Sequence, residues 1–258
     1  MSWKRMQLFE VADIEHFPKV LRTCMVAFLD RLHDIVGSAD VLSEKLSERI
    51  SANGIVNVQD FCSGHGGLAK DVFERLRSKH PDLTWNLSDK FPQQISLPNG
   101  MTYTTQSVDV TKLGEWNNQS NTLYTIFCAF HHFTPVQTRQ ILEHAHQERL
   151  SLCIFEMSNN AQPKYIWWLA ILSAFITCLI LTPTIKGITW QQLLFTYLIP
   201  ILPFCIAWDG AVSNARTYTK QDLEKLIAGL DTDYTWHIEE ISGAAPMPML
   251  CLWGQASD

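Results

Sequence analysis

Two periodicities alternate along this chain. From Phe17 to Val36, apolar side chains at Val20, Leu21, Cys24, Met25, Phe28, Leu29, Leu32, Ile35 and Val36 recur at i, i+3 and i+4, which predicts an amphipathic helix. A second helix is predicted over about Asp40 to Ile50, with Leu42, Leu46 and Ile50 on one face, and Asn53-Gly54 then turns the chain. A short apolar run through Val56 and Val58 ends in Asp60, a loop of small residues follows, and Leu68, Val72, Phe73 and Leu76 mark a helix from Leu68 to Leu76. Strands are predicted over Leu83 to Asp89, Met101 to Val108, Leu123 to Cys128 and Leu150 to Glu156, with a helix over Gln137 to His146. The Leu123 run is continuously apolar, as suits a strand buried on both faces. This alternation of strand and helix predicts a parallel sheet covered on both sides.

The pattern changes after residue 163. Twenty-one residues between Lys164 and Lys186 carry no charge, close to the roughly 20 apolar residues that a membrane-spanning helix needs. A second apolar run, Leu193 to Trp208, is broken by Pro200 and Pro203, and Trp167, Trp168, Trp190 and Trp208 lie near the ends as interfacial anchors would. Three arrangements are open: a transmembrane hairpin whose two crossings return the chain to its starting side, a monotopic hairpin dipping into one leaflet, or a lid or dimer face buried in protein. Trp208 to Thr219 is then dense in polar and aromatic residues. Thr219 is placed to cap a helix over Lys220 to Leu230, with Asp222 in its first turn, and Tyr234 to Ile241 and Met247 to Trp253 are predicted as closing strands. The expected organisation is an N-terminal helical cap over 1–53, a sheet domain built from 54–162 and 218–258, and an apolar helical hairpin over 163–217.

Composition narrows the function. Hydrophobic residues make up 47% and charged residues 18% of 258, and the formal charge is -6, which argues against a nucleic-acid partner. The seven cysteines (24, 62, 128, 153, 178, 205 and 251) show no paired spacing and sit mostly in apolar runs, as reduced thiols do. The first residues, Met1 to Gln7, lack the apolar stretch of a signal peptide. The expected location is the cytoplasmic face of a membrane, integral or monotopic, or otherwise the cytoplasm.

The loop Asp60-Phe61-Cys62-Ser63-Gly64-His65-Gly66-Gly67 carries the chemistry. Strand, tight loop and helix form the opening turn of a Rossmann-like domain, where glycines let a ligand approach the main chain and the helix start offers free N–H groups. A dinucleotide fingerprint would need glycines at 62, 64 and 67, and position 62 is Cys. The order acid-x-small-x-Gly-x-Gly instead resembles motif I of class I S-adenosylmethionine-dependent methyltransferases. Asp89, 23 residues beyond Gly66 at the end of the second predicted strand, and Asp109, after the third, follow at the spacing of that family. The resemblance covers about 54–160 and 218–254 and departs at Cys62, where the family commonly has Gly.

The resemblance implies an α/β fold with a Rossmann-like methyltransferase sheet, mostly parallel with its last strand antiparallel, preceded by N-terminal helices and interrupted by the apolar hairpin after strand five. It implies S-adenosylmethionine as cofactor. Asp60, Gly64 and Gly66 would hold its methionine portion, Asp89 its ribose and Asp109 its adenine, with Cys62, Ser63, Lys90, Val110 and Ala129 as further cofactor contacts. His131 and His132, after strand four, are the candidate bases, since an imidazole titrates near neutrality. Asp209, Arg216 and Tyr218 are candidate substrate ligands, Arg216 because a guanidinium grips carboxylate or phosphate; Asp209 and Arg216 would otherwise pair with each other. No metal-specific ligand spacing occurs. The implied activity is methyl transfer to an oxygen or carbon of a small lipophilic or lipid-like acceptor, possibly at a membrane, with a homodimer through the hairpin as a further partner. The alternative is a membrane-attached binding or interaction module without methyl transfer.

Overall fold

The computed structural model describes residues 4–112, 116, 119–242 and 248–256. It divides into two compact units, one formed by residues 37–159 and 220–258 and the other by 1–36 and 160–219.

The first unit is built on a seven-stranded sheet. Its strands are β1 (Asn57–Phe61), β2 (Thr84–Leu87), β3 (Met101–Tyr103), β4 (Thr122–Phe127), β5 (Ser151–Glu156), β6 (Tyr234–Ile241) and β7 (Met249–Ala256). The spatial order is β3-β2-β1-β4-β5-β7-β6. The first five strands are parallel, and β7 inserts antiparallel between β5 and β6. This is the mostly parallel sheet with a reversed last strand that the sequence implied. All six residues of β4 are buried, as suits a mostly apolar strand at the centre of a two-sided sheet. The edge strand β6 instead alternates toward solvent.

Around the sheet stand α2 (Ser38–Asn53), α3 (Gly67–Leu76), α4 (Pro135–Gln147) and α8 (Lys220–Ile227). Thr134 caps α4: its hydroxyl accepts the Gln137 N–H while the Gln137 side chain accepts the Thr134 N–H, with Pro135 at the first helical position. Two elements differ from expectation. The third strand closes at Tyr103 instead of Val108, because Thr104 donates one last N–H to Leu87 and the chain then turns back, Val108 N–H reaching Asp89 O. The final strand starts at Met249; Met247, its expected first residue, lies outside the described residues.

The second unit contains α1 (Lys19–Val36), α5 (Leu169–Leu181), α6 (Trp190–Leu193, continued by a π-helical turn through Leu198) and α7 (Ile201–Arg216). Cys24, Met25 and Phe28 of α1 pack with Cys178, Ile185, Leu202 and Ile206 in one core. The expected cap over 1–53 is therefore divided, since α1 joins the inserted helices and α2 belongs with the sheet. Of the three arrangements that the sequence leaves open, the transmembrane hairpin is not supported. Among the described residues no single helix is long and apolar enough to cross a bilayer: α5 has 13 residues, and the pair Trp190–Leu198 and Ile201–Arg216 bends by 83°. Thirteen residues rise about 20 Å, short of a hydrocarbon core of about 30 Å.

Candidate functional site

β1 lies between β2 and β4, so the strand order reverses there and the loops leaving their carboxyl ends splay apart, the place where open α/β sheets bind ligands. Asp60 opens the loop. Its Cα pairs with Leu87 on one side and Thr125 on the other, and its side chain is 1% exposed. Oδ1 accepts the Thr125 hydroxyl at 2.5 Å and Oδ2 accepts the Ser63 hydroxyl at 2.6 Å. Burial pushes the carboxyl up from its ordinary 3.8 to about 7; the two hydroxyls oppose the shift and the Asp89 charge adds to it. Asp60 was expected to touch the methionine portion of a cofactor. With both oxygens turned into the protein, it braces the loop from beneath.

The loop climbs through left-handed backbone. Cys62, Gly64 and Gly66 have φ of 58°, 50° and 66°. Cys62 takes this conformation with a Cβ, at a cost of about 1–2 kcal/mol, where the related motif places Gly. Gly66 has no such latitude, since a Cβ there would lie 2.6 Å from Leu87 Cδ1. Gly64 is open instead: a Cβ would meet nothing within 4 Å. Ser63 N–H reaches Ser88 O, and Gly66 N–H closes on Ser63 O.

Asp89 ties this loop to the end of β2. Its Oδ2 accepts the Gly64 N–H at 2.9 Å and its Oδ1 accepts the Phe91 N–H at 2.8 Å. Tyr103, not anticipated as a site residue, donates its hydroxyl to Gly64 O at 2.9 Å. It also lines an open depression of about 530 Å³ with Gln93, Gln94, Ile95, Leu97 and Thr105. Lys90 pairs with Asp109 at 3.3 Å, and Asp109 also accepts the Thr111 hydroxyl and N–H. The Thr111 hydroxyl, before the lysine, holds the Asp109 carboxyl below the usual range. Val110 and Ala129 are buried.

β4 and β5 bring in the base candidates. Phe127 pairs with Phe155, and Cys128, at φ 51°, donates its N–H to Phe155 O. That register sets Glu156 beside the short 3-10 turn Phe130–His132. Glu156 Oε1 accepts the His131 N–H at 3.0 Å, and Oε2 lies 2.9 Å from His131 Nδ1. The His132 ring lies against His131 at a tilt of 33°, with ring centroids 4.4 Å apart. Glu156 escaped sequence analysis as a site residue; an acid ending a buried strand was the available signal, and only the β4–β5 register gives it a partner.

The remaining candidates lie in the helical unit and are engaged there. Asp209 accepts the N–H groups of Val11 and Ala12 at 2.6 and 2.9 Å. Arg216 pairs with Glu10 and Asp13 at 3.1 and 3.0 Å, and the Arg5 guanidinium lies 4.5 Å over the Tyr218 ring. Asp209 and Arg216 thus each hold the N-terminal segment to α7.

No family model matches the chain, and no curated protein matches it by sequence. Solved structures do. Human N-acetylserotonin methyltransferase in complex with SAM aligns over 93% of this chain at 12% identity and a TM-score of 0.52; this chain spans only 56% of that one, little more than half its length. The plantazolicin methyltransferase BpumL in complex with SAH aligns over 96% of this chain and 94% of its own at 10% identity and a TM-score of 0.54. The likeness is one of architecture, and it fixes the fold: this chain has the Rossmann-like fold of class I S-adenosylmethionine-dependent methyltransferases.

Proposed function

We propose that this protein is an S-adenosylmethionine-dependent methyltransferase acting on an oxygen or carbon atom of a small lipophilic acceptor. The observation that carries the reading is the juxtaposition, at the carboxyl ends of adjoining strands, of a glycine loop hooked by Asp89 and a histidine held by Glu156. The residues fit the cofactor. Gly64 leaves open space above its main chain. Asp89 spends one hydrogen bond on each oxygen, and a carboxylate has about four acceptor positions, so capacity remains for two ribose hydroxyls. Both similar structures hold SAM or SAH.

The bound cofactor supplies an electrophilic methyl on a sulfonium. Everything else falls to the chain. Asp60 holds the loop in shape through Ser63 and Thr125. A carboxylate only accepts, so with His131 Nδ1 donating to Glu156 the Nε2 atom would be the basic ring nitrogen. An acceptor hydroxyl or acidic carbon gives its proton to that nitrogen as the methyl arrives, a contribution of about 10²–10⁴ in rate for a well-placed base. Alignment of the two reactants supplies up to about 7–11 kcal/mol more. Phe133, half-buried next to His132 in the chain and edge-on to the buried Phe130, favours an apolar acceptor.

The test is calorimetric titration with S-adenosylhomocysteine beside Asp89→Ala, followed by transfer of labelled methyl to quinone-like, polyketide-like and lipid acceptors. Micromolar binding that the variant weakens by about tenfold, or 1.4 kcal/mol, supports the cofactor site. Loss of transfer in His131→Ala with cofactor binding intact supports the base. A folded wild type that binds no S-adenosylhomocysteine rejects the reading; binding without transfer to any acceptor favours a non-catalytic module.

A further inference from the structure

The helical unit carries an apolar face whose composition is unlike the rest of the surface. Between Lys164 and Asp209 the chain has a single charge, Lys186. Along α5, Leu169, Leu172, Ile176 and Ile180 are exposed at spacings of three, four and four, one stripe of the helix, while Cys178 on its other side is fully buried. Beyond the turn, Trp190, Leu198 and Phe204 are exposed as well, Leu198 at 77%. Scattered exposed hydrophobes need no explanation, but a continuous array of this kind marks an interaction surface.

Several polar atoms on this face are satisfied within it. Trp168 Nε1 donates to Tyr165 O, Tyr197 OH to Leu179 O, and Ser173 Oγ to Ala170 O. At the 83° bend, Ile199 N–H closes on Leu194 O and Ile201 N–H on Ile199 O, while Pro200 and Pro203 have no N–H to satisfy. A protein interface of ordinary composition uses about one hydrogen bond per 100–200 Å²; hydrocarbon instead requires that backbone groups be paired internally. Tyr165, Trp168 and Trp190, exposed near the ends of the apolar runs, have the amphipathic rings found at the level of lipid headgroups. Charge agrees. Residues 1–36 and 160–219 contain eight Lys or Arg against six Asp or Glu, whereas the rest of the chain has 12 against 20. The positive balance therefore lies in the unit that carries the apolar face, with Lys164 and Lys186 exposed at either end of the first apolar run.

We propose that this unit binds a membrane in the monotopic manner, burying the α5 stripe and the bent 190–204 segment in one leaflet. The occupant is lipid, with anionic headgroups at the lysine rim. The inference stands apart from methyl transfer and is measured without cofactor.

The experiment is flotation of the purified full chain with vesicles of phosphatidylcholine, alone and mixed with phosphatidylglycerol, beside the variant Leu172→Glu/Ile180→Glu/Leu198→Glu. All three positions are exposed, and circular dichroism with a thermal melt checks that the variant folds. The expected result is flotation of the wild type with both vesicles, more with the anionic mixture, and a loss of about 100-fold in partitioning for the variant. Added salt should weaken only the anionic increment. Single substitutions at each position keep the test decisive if the triple variant melts early. Wild type remaining in the aqueous fraction overturns the proposal, as does equal flotation of a folded variant. A dimer in the absence of vesicles that the substitutions dissociate, with no flotation, assigns the face to a second copy of the chain and overturns it equally.

Discussion

Glu156 grips His131 at two points, its Oε1 on the backbone N–H at 3.0 Å and its Oε2 on Nδ1 at 2.9 Å, with both side chains buried. The carboxylate thereby fixes both the ring orientation and the tautomer. Glu156→Gln keeps the shape and presents an amide whose polarity can be reversed, so Nδ1 is no longer held as the donor. The expected outcome is a fall in methyl-transfer rate of about 10²-fold or more, with S-adenosylhomocysteine affinity within about twofold of wild type. A rate-pH profile checks this role: the acidic limb, which a general base governs, should move in Glu156→Gln, whereas a purely structural Glu156 would lower amplitude alone.

The buried Asp60 makes stability depend on pH in the unusual direction. Its folded-state value, raised to about 7, exceeds the unfolded value near 3.8, so between these the folded state holds the extra proton. The contribution is fully present below about pH 4 and is lost as pH rises to about 7, amounting to roughly a few kcal/mol. Urea unfolding of wild type and Asp60→Asn at pH 5 and pH 8 checks this: the wild type should lose more stability than the variant over that interval. Parallel pH dependence in the two proteins would sink the assignment.

Gly64 and Gly66 both have left-handed backbone but face different surroundings. Gly66→Ala drives a Cβ to within 2.6 Å of Leu87 Cδ1 and should destabilise the fold by about 2–3 kcal/mol. Gly64→Ala enters open space and should cost only about 1–2 kcal/mol of stability. Under the proposed function the same methyl would meet the cofactor, so its expected larger effect is a loss of S-adenosylhomocysteine affinity of about tenfold. Thermal melts with calorimetric titration separate the two.

Cys62 and Cys128 frame the site with inert thiols. Burial raises both pKa values well above 9, and the surrounding carboxylates Asp89 and Asp60 at Cys62, and Glu156 and Asp60 at Cys128, push the same way. Alkylation by iodoacetamide at pH 8 should leave both unmodified in the folded protein and label them in denaturant. Rapid labelling of Cys62 in the native state would contradict this electrostatic picture.

Much of this protein was legible in its residue order. The β4 segment reads as a buried strand because it is mostly apolar and carries no charge, and Asp60 to Gly67 reads as a ligand loop because small residues follow a strand and open a helix. Those signals are local: periodicity and backbone permissiveness act over a few neighbouring residues, so the elements and the sheet class follow from them. Tertiary structure decided which polar groups are turned inward. Asp60 became a brace because Thr125, from a strand 65 residues on, covers its oxygen. Glu156 acquired its role only through the register of β5 on β4, and Asp209 and Arg216 were claimed by backbone and carboxylates near residue 11. Hydropathy alone could not tell a spanning hairpin from a bent one, since the 83° turn at Pro200 depends on how the helices pack as well as on their composition. A side chain's type limits its chemistry; its partner is set by the fold that brings distant chain together.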